Sequence, residues 1–221
     1  MNNRKQQIFM FSFLLVELIL YILILTTGGS TLVWSSFISI VICFLYSLLE
    51  AKKSSAFIIG GLACTVIADL FLVVWTPVQR LWGMVFFLIT QTLYAIKLHS
   101  SSKNKKILIT RVSLIVLAIT VAFAVLKDKT DALAIISLCY YANLIVSIME
   151  AFTLFNENKL FAIGLVLFLL CDTVIGLQVA SGAYLPISES SIIHKIIFVD
   201  FNLAWFFYLP SQVLIALSKH K

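Results

Sequence analysis

Residues 56–75 read AFIIGGLACTVIADLFLVVW, an unbroken apolar run of 20 residues that contains a single charged side chain, Asp69. At a rise of about 1.5 Å per residue, a helix of this length crosses the roughly 30 Å hydrocarbon core of a bilayer. An ionised carboxylate at the centre of such a helix costs roughly 2.5–3.5 kcal/mol to insert. The run therefore predicts a transmembrane helix in which Asp69 faces something other than lipid.

Similar apolar runs recur along the whole chain of 221 residues, of which 62% are hydrophobic and 12% charged. The mean hydropathy is +1.08, and this composition lies outside the range of soluble domains. The connections between the runs are too short to hold a soluble domain. We therefore predict an all-α polytopic membrane protein, one bundle over residues 1–221. Its eight predicted transmembrane helices lie at residues 7–27, 30–49, 56–75, 81–98, 107–126, 132–155, 160–180 and 192–217.

Lysine and arginine are distributed unevenly between the two sides of the predicted spans. The side that contains both termini carries twelve of them, and the opposite side carries four, namely Arg80, Lys127, Lys129 and Lys195. By the positive-inside rule, both termini are predicted to be cytoplasmic. The net charge of +6 is therefore interpreted as a topology signal, and no nucleic-acid partner is predicted.

Three pairs of segments indicate an internal duplication. YSLLEA matches VSIMEA at an offset of 100 residues, FIIGGLACTVIADLFL matches FAIGLVLFLLCDTVIG at 103, and FFLITQTLYAIKLH matches FYLPSQVLIALSKH at 121. The offsets increase in chain order, and each match pairs a polar residue with a polar residue. We predict a four-plus-four repeat, with halves at about 1–99 and 107–221, that places Asp69 and Asp172 at similar depths.

The surroundings of Asp69 predict the direction in which it points. Gly61 and Thr65 lie eight and four residues before it, so they share its helix face, and small residues are typical of closely packed membrane helices. Asp69 is therefore expected to face the interior of the bundle. An intramembrane carboxylate indicates a functional site by default, and the alternative is a structural hydrogen bond between helices.

Other polar residues in the spans have two possible interpretations. Gln91 and Gln212 suit either a binding site or interhelical hydrogen bonds. Tyr140, Asn143, Ser147 and Glu150 recur at helical spacing, which is typical of a cavity wall or of a packed polar seam. Glu150 is further expected to make an ion pair at the cytoplasmic end of its span, and Asp200 to begin span 8 at the outer interface.

The cysteines and histidines indicate neither a metal site nor a disulfide. The four cysteines lie inside predicted spans without ligand spacing, and the three histidines lie at span ends. No buried histidine is available to activate a nucleophile, so nucleophilic catalysis is not expected. The residues concerned are Cys43, Cys64, Cys139, Cys171, His99, His194 and His220.

Four stretches resemble the YhhN-like lysoplasmalogenases, and the likeness extends over most of the chain from residue 57. They are GGLACTVIADLFLVVW (60–75), GMVFFLITQTLYAIKL (83–98), FAIGLVLFLLCDTVIGL (161–177) and the C-terminal pattern Y-L-x-x-Q-x-L-I-A-L (208–217). The Gly-Asp of the family's third span corresponds to Ala68-Asp69, and the Ser-Asp of its seventh span to Cys171-Asp172. Gln91 stands where histidine is frequent, so the chain resembles a divergent member.

The resemblance implies an eight-span enzyme that hydrolyses the vinyl ether bond of lysoplasmalogens, without metal or cofactor, in a bacterial plasma membrane. Asp69 and Asp172 would share a proton, one acting as general acid and the other as base or oxocarbenium stabiliser. Both are expected to face one polar cavity lined by spans 3, 4, 7 and 8, with an apolar channel for the alkenyl chain of a lysophospholipid. The residues predicted to bind substrate are Gln91, Tyr94, Tyr140, Asn143, Tyr208 and Gln212.

Two other functions remain open at this point. The same aspartates would serve as a protonation relay in a proton-coupled transporter, and duplicated halves suit alternating access. A non-catalytic, lipid-binding membrane protein is the other alternative.

Overall fold

A computed structural model describes residues 3–50, 55–127, 130–183, 188 and 190–218. The helices are α1 (Asn3–Thr26), α2 (Gly29–Leu49), α3 (Ala56–Asp69) with a π-helical continuation (Leu70–Val74), α4 (Arg80–Ser102), α5 (Lys105–Leu126), α6 (Ala132–Thr153), α7 (Lys159–Ala183), α8 (Ile192–Ile197) and α9 (Leu203–Leu217). Several residues used in the topology and metal-site predictions lie outside the described ranges, namely Lys52, Lys53, Lys129, Lys219, His220 and Lys221.

The prediction of an all-α membrane protein is confirmed for the part of the chain that the structure describes. That part contains no strand, and seven of its helices are long and apolar enough to cross a membrane. Side-chain caps begin several of them. For example, the Asp131 carboxylate accepts a hydrogen bond from the backbone N–H of Ala134 at 2.7 Å at the start of α6, which satisfies one of the unpaired donors of a helix N-terminus.

The predicted continuous span at 192–217 is wrong, because the structure breaks it into α8 and α9. The side chain of Asn202 accepts a hydrogen bond from the backbone N–H of Trp205 at 3.2 Å, so a new helix begins after the polar segment that contains Asp200. The resulting α9 has 15 residues and is about 22 Å long. It is shorter than the seven membrane-spanning candidates, of which the shortest, α3 with its π-helical continuation, has 19 residues.

Two close helix pairs organise the interior: α3 packs along α4, and α7 packs along α9. Helix α6 contacts α4, and α5 lies outside α6. The outward face of α5 is apolar, with Ile109, Val112 and Val116 more than half exposed. Such a face is suited to contact with lipid rather than water.

In the α3–α4 contact, Gly61 faces the fully buried ring of Tyr94. A Cβ atom at residue 61 would overlap that ring. The α7–α9 contact has the same form, because a Cβ at Gly164 would lie 2.8 Å from Ile215 Cγ1 and 3.1 Å from the backbone oxygen of Ser211. Small residues permit this close approach, as is common between membrane helices.

Replacing Gly61 with alanine is expected to destabilise the protein by roughly 1–3 kcal/mol, because the new methyl group would overlap the fully buried ring of Tyr94. Gly176→Ala is the matched control. A Cβ at Gly176 meets no atom within 4 Å, and alanine favours a helix by about 1 kcal/mol over glycine. Thermal unfolding in detergent should therefore show a lower Tm for the first variant and an equal or higher Tm for the second. Equal Tm values for the two variants would contradict the packing at Gly61.

Candidate functional site

Asp69 is the last residue of α3, immediately before the helix changes its hydrogen-bonding pattern. The backbone N–H of Trp75 donates to the carbonyl of Leu70 at 2.8 Å, which is the i to i+5 spacing of a π-helical turn. Short π-helical segments are frequent at functional sites, because the extra residue redirects the neighbouring side chains. Asp69 is 3% exposed, and the Tyr208 hydroxyl donates a hydrogen bond to its Oδ2 at 2.7 Å.

Asp172 lies within α7 and has the same kind of partner. The Tyr140 hydroxyl, on α6, donates a hydrogen bond to Asp172 Oδ2. Asp172 is only partly buried, and it is close enough to Asp69 for an electrostatic interaction. Each carboxylate therefore has one oxygen bound by a tyrosine, and the arrangement joins four different helices.

Two phenylalanine rings hold these tyrosines in position. The ring centroid of Phe87 lies 6.0 Å from that of Tyr140 and 6.3 Å from that of Tyr208. Phe168 lies 5.5 Å from Tyr208 and 6.5 Å from Tyr140. Such edge-to-face and tilted aromatic contacts are favourable at these distances. They form a buried aromatic layer beside the two carboxyl groups, which restricts the orientation of both hydroxyls.

Both aspartates and both tyrosines line one cavity of about 820 Å³. The cavity lies near the end of the bundle at which α4, α6 and α9 begin and α7 ends. Most of its wall is apolar, and it includes side chains of α6 in addition to those of α3, α4, α7 and α9. Arg80 is the one cationic residue among the described residues of the wall. The volume is within the range of ligand-binding pockets.

The structure places three of the predicted substrate-binding residues, Gln91, Tyr94 and Gln212, outside the described wall of this cavity. Gln91 and Gln212 each follow an aromatic residue of the site, Phe87 or Tyr208, by four residues, which is about 6 Å further along the helix. The aromatic layer therefore separates them from the aspartates. All three side chains are fully buried, and their polar side-chain atoms make no hydrogen bond with the described residues.

Asn143 also lies outside the described cavity wall, and it accepts hydrogen bonds from Arg111 of α5. Arg111 donates hydrogen bonds to the backbone oxygen of Asn143 at 3.2 Å and to its side-chain oxygen. Arg111 also contacts Ser147 at 3.0 Å and Glu150 at 2.8 Å. Asn143, Ser147 and Glu150 of the predicted polar stripe on α6 thus form a packed polar seam. Tyr140 is the member of that stripe that lines the cavity.

Arg80 was not among the site residues predicted from the sequence, where it counted only toward the predicted topology. Arg80, Met84 and Phe87 follow one another at spacings of four and three residues, so they share one face of α4. All three line the cavity. The helical spacing of Arg80 from Phe87 is the sequence feature that could have assigned Arg80 to the site. Among the described residues, no group of three or more His, Cys, Asp or Glu side chains is placed to hold a metal ion.

Comparison with known proteins gives one match. No curated protein and no solved structure was found to match the chain. The model of the family described as the YhhN family matches residues 30–219, a range that contains both aspartates, both tyrosines and Arg80. Because this match covers far more than half of the sequence, the chain belongs to the YhhN family.

Proposed function

We propose that this protein is a membrane-embedded hydrolase of the lysoplasmalogenase type, which cleaves the vinyl ether bond of a lysophospholipid. The observation that carries the proposal is a pair of carboxyl groups, Asp69 and Asp172, each bound by a tyrosine hydroxyl, at one largely apolar cavity. Membership of the YhhN family supports the same reaction class. The apolar wall suits an alkenyl chain, and two carboxyl groups suit acid–base chemistry.

The reaction needs a proton donor and a proton acceptor. One carboxyl group transfers its proton to the β-carbon of the vinyl ether, and the double-bond electrons form the new C–H bond and leave an oxocarbenium ion. Water adds to that ion, and the second carboxylate accepts a proton from the attacking water. The first carboxylate then takes the proton of the resulting hemiacetal hydroxyl, so the aldehyde C=O forms as the bond to the glycerol oxygen breaks. The second carboxyl group gives that oxygen the proton it took from water, and both groups return to their starting states. A fatty aldehyde and a glycerophospho headgroup leave, and one water is consumed.

The tyrosines have a separate role in this scheme. Each occupies one oxygen of its carboxylate and leaves the other oxygen for the substrate or for water. Hydrogen bonds to a carboxylate hold it in a fixed orientation, and proton transfer requires heavy atoms within hydrogen-bond distance. Tyr140 and Tyr208 are therefore positioning residues, and no step requires either of them to transfer a proton.

The proposal is tested by incubating purified protein with a 1-alkenyl lysophosphoethanolamine in D₂O and measuring fatty aldehyde by mass spectrometry. We expect an aldehyde with one deuterium on the carbon next to the carbonyl, because that carbon accepts the solvent-derived proton. The 1-alkyl ether analogue is the control, since it has no double bond to protonate. The proposal is excluded if no vinyl ether lipid yields aldehyde.

We also propose the four-plus-four repeat, with eight spans, cytoplasmic termini and α9 as the eighth span. Equivalent contacts in the two halves support it. The Gly61–Tyr94 contact corresponds to Gly164–Ile215 at the offsets of 103 and 121 that relate the segments in sequence. In addition, Gln6 of α1 donates to Glu50 at 2.6 Å, as Arg111 of α5 donates to Glu150.

A duplicated bundle with buried carboxyl groups also supports the second candidate function, a proton-coupled transporter. Proteoliposomes with an internal pH indicator distinguish the two. Substrate-driven proton uptake without aldehyde release would favour the transporter. Aldehyde release without proton movement across the membrane would favour the hydrolase.

A further inference from the structure

Arg80 lies in the cavity wall, and its side chain is exposed rather than buried. It makes no ion pair and no side-chain hydrogen bond with any residue that the structure describes. The other charged groups of the described wall are Asp69 and Asp172. The cavity is therefore electrically asymmetric, with two carboxyl groups in one part, one guanidinium group in another, and apolar side chains between them.

Helix α4 sets the spacing between Arg80 and the aromatic residues beside the aspartates. Seven residues separate Arg80 from Phe87 on α4, which corresponds to about 10 Å along the helix axis. The Phe87 ring contacts both Tyr140 and Tyr208, the two residues that bind the aspartates. The backbone of Arg80 is thus about two helical turns from Phe87, the aromatic residue that contacts the tyrosines of both aspartates, toward the end of the bundle at which α4 begins.

This separation matches a phosphate ester of glycerol. In a 1-alkenyl glycerophospholipid, the extended chain from the β-carbon of the vinyl ether to the phosphorus atom spans about 9 Å. Placing the vinyl ether beside the aspartates therefore brings the phosphate within reach of the Arg80 side chain. The carboxylates repel the phosphate, so the opposite orientation is disfavoured. The planar guanidinium group forms two parallel hydrogen bonds with phosphate oxygens.

The remaining wall of the cavity is largely apolar, which suits the hydrocarbon chain. Helices α6 and α7 contribute mainly apolar lining residues, including Leu133, Leu138, Leu177 and Val179. The lining near Arg80 comes from the α3–α4 region, with Leu72, Val78 and Met84. Both sets of residues line the same cavity as the two aspartates, and the ether bond of a lysophospholipid separates its chain from its headgroup.

We propose that Arg80 is a phosphate-binding residue and makes this cavity selective for lysophospholipids over ether lipids without phosphate. The inference rests on the proposed function for the position of the vinyl ether. The binding of phosphate by Arg80 is measurable without catalysis. Arg80 acts on binding and orientation of the substrate, not on proton transfer.

The test measures binding of three non-cleavable probes to protein in nanodiscs: a 1-alkyl lysophosphoethanolamine, the 1-alkylglycerol of the same chain length, and soluble glycerophosphoethanolamine. We expect the lysophospholipid to bind at least tenfold more tightly than the alkylglycerol. Arg80→Gln should weaken lysophospholipid binding by about ten- to hundredfold, as is typical for hydrogen bonds to charged groups. Arg80→Lys should retain an intermediate preference, because it keeps the charge and loses the bidentate geometry.

Lys195→Gln is the matched control, since Lys195 is an exposed cation of α8 outside the described cavity wall. It should leave the preference for the lysophospholipid unchanged. Equal effects of the Arg80 and Lys195 variants, or an Arg80→Gln protein that keeps the full preference, would overturn the proposal. Tight binding of glycerophosphoethanolamine alone would also overturn it, because the site would then be one for free headgroups.

Failure of this inference is separable from failure of the proposed function. If wild-type protein cleaves no vinyl ether lipid but still prefers the phosphate-containing probe through Arg80, the anion site stands and the reaction does not. If aldehyde is released while Arg80→Gln binds both lipids as the wild type does, the reaction stands and Arg80 is not the phosphate-binding residue.

Discussion

Asp69→Asn and Asp172→Asn are each expected to reduce aldehyde release by about 10²–10⁴-fold, the range that general acid–base catalysis supplies. Asparagine keeps the shape of aspartate and an oxygen that accepts the tyrosine hydrogen bond, but it neither donates nor accepts the transferred proton. The change therefore removes the chemistry and retains the packing. Initial rates with a 1-alkenyl lysophosphoethanolamine, measured beside Tm for each variant, provide the test.

Asp200→Asn is the matched control, since Asp200 is exposed and lies outside the described wall of the cavity. Its activity should equal that of the wild type. The double variant Asp69→Asn/Asp172→Asn should be little slower than either single variant, because residues that act as one unit have non-additive effects. Full activity in either single variant, with a folded protein, would remove that aspartate from the mechanism.

Glu150→Ala is expected to cause a larger loss of stability than Gly61→Ala, about 3–5 kcal/mol, because it leaves the Arg111 side chain, only 11% exposed, without its counter-charge. Glu150 is 1% exposed, and its Oε2 lies 2.8 Å from Arg111 Nη2. The Ser102 hydroxyl and the His99 ring also contact its other oxygen, Oε1. Denaturant or thermal unfolding in detergent, at constant pH and lipid content, measures the effect.

The neighbouring residue provides a control for this prediction. Met149 is 53% exposed, so Met149→Ala should change stability by much less. Replacing both members of the ion pair, as in Glu150→Leu/Arg111→Met, should recover much of the loss, because well-packed apolar residues often substitute for a buried pair. A Glu150→Ala protein as stable as the Met149→Ala protein would mean that Arg111 reaches water without its partner.

Activity should separate this ion pair from the cavity. Glu150 follows Tyr140 by ten residues on α6, which is about 15 Å along the helix. The folded fraction of the Glu150→Ala protein should therefore release aldehyde at close to the wild-type rate. The loss would appear as a lower yield of folded protein.

The sequence alone determined the positions of most helices in this protein. The predicted spans at 30–49 and 56–75 correspond to Gly29–Leu49 and Ala56–Val74. Local hydropathy is sufficient for this, because the bilayer admits only segments that satisfy their own backbone hydrogen bonds over about 20 apolar residues. The small-residue face around Gly61 likewise indicated that Asp69 points into the bundle, since a carboxyl group avoids lipid.

Only the tertiary structure decided which polar residues share the cavity with Asp69. Hydropathy does not distinguish the lipid-facing side of a membrane helix from its packed side when both are apolar, so Gln91 and Tyr140 were equally plausible members of the site. Contacts between distant segments placed Tyr140 and Arg80 in the cavity wall and placed Gln91 behind Phe87. These contacts depend on how helices pack laterally. The spacing of residues along one helix shows which of them share a face, as for Arg80 and Phe87, but not which helix that face meets.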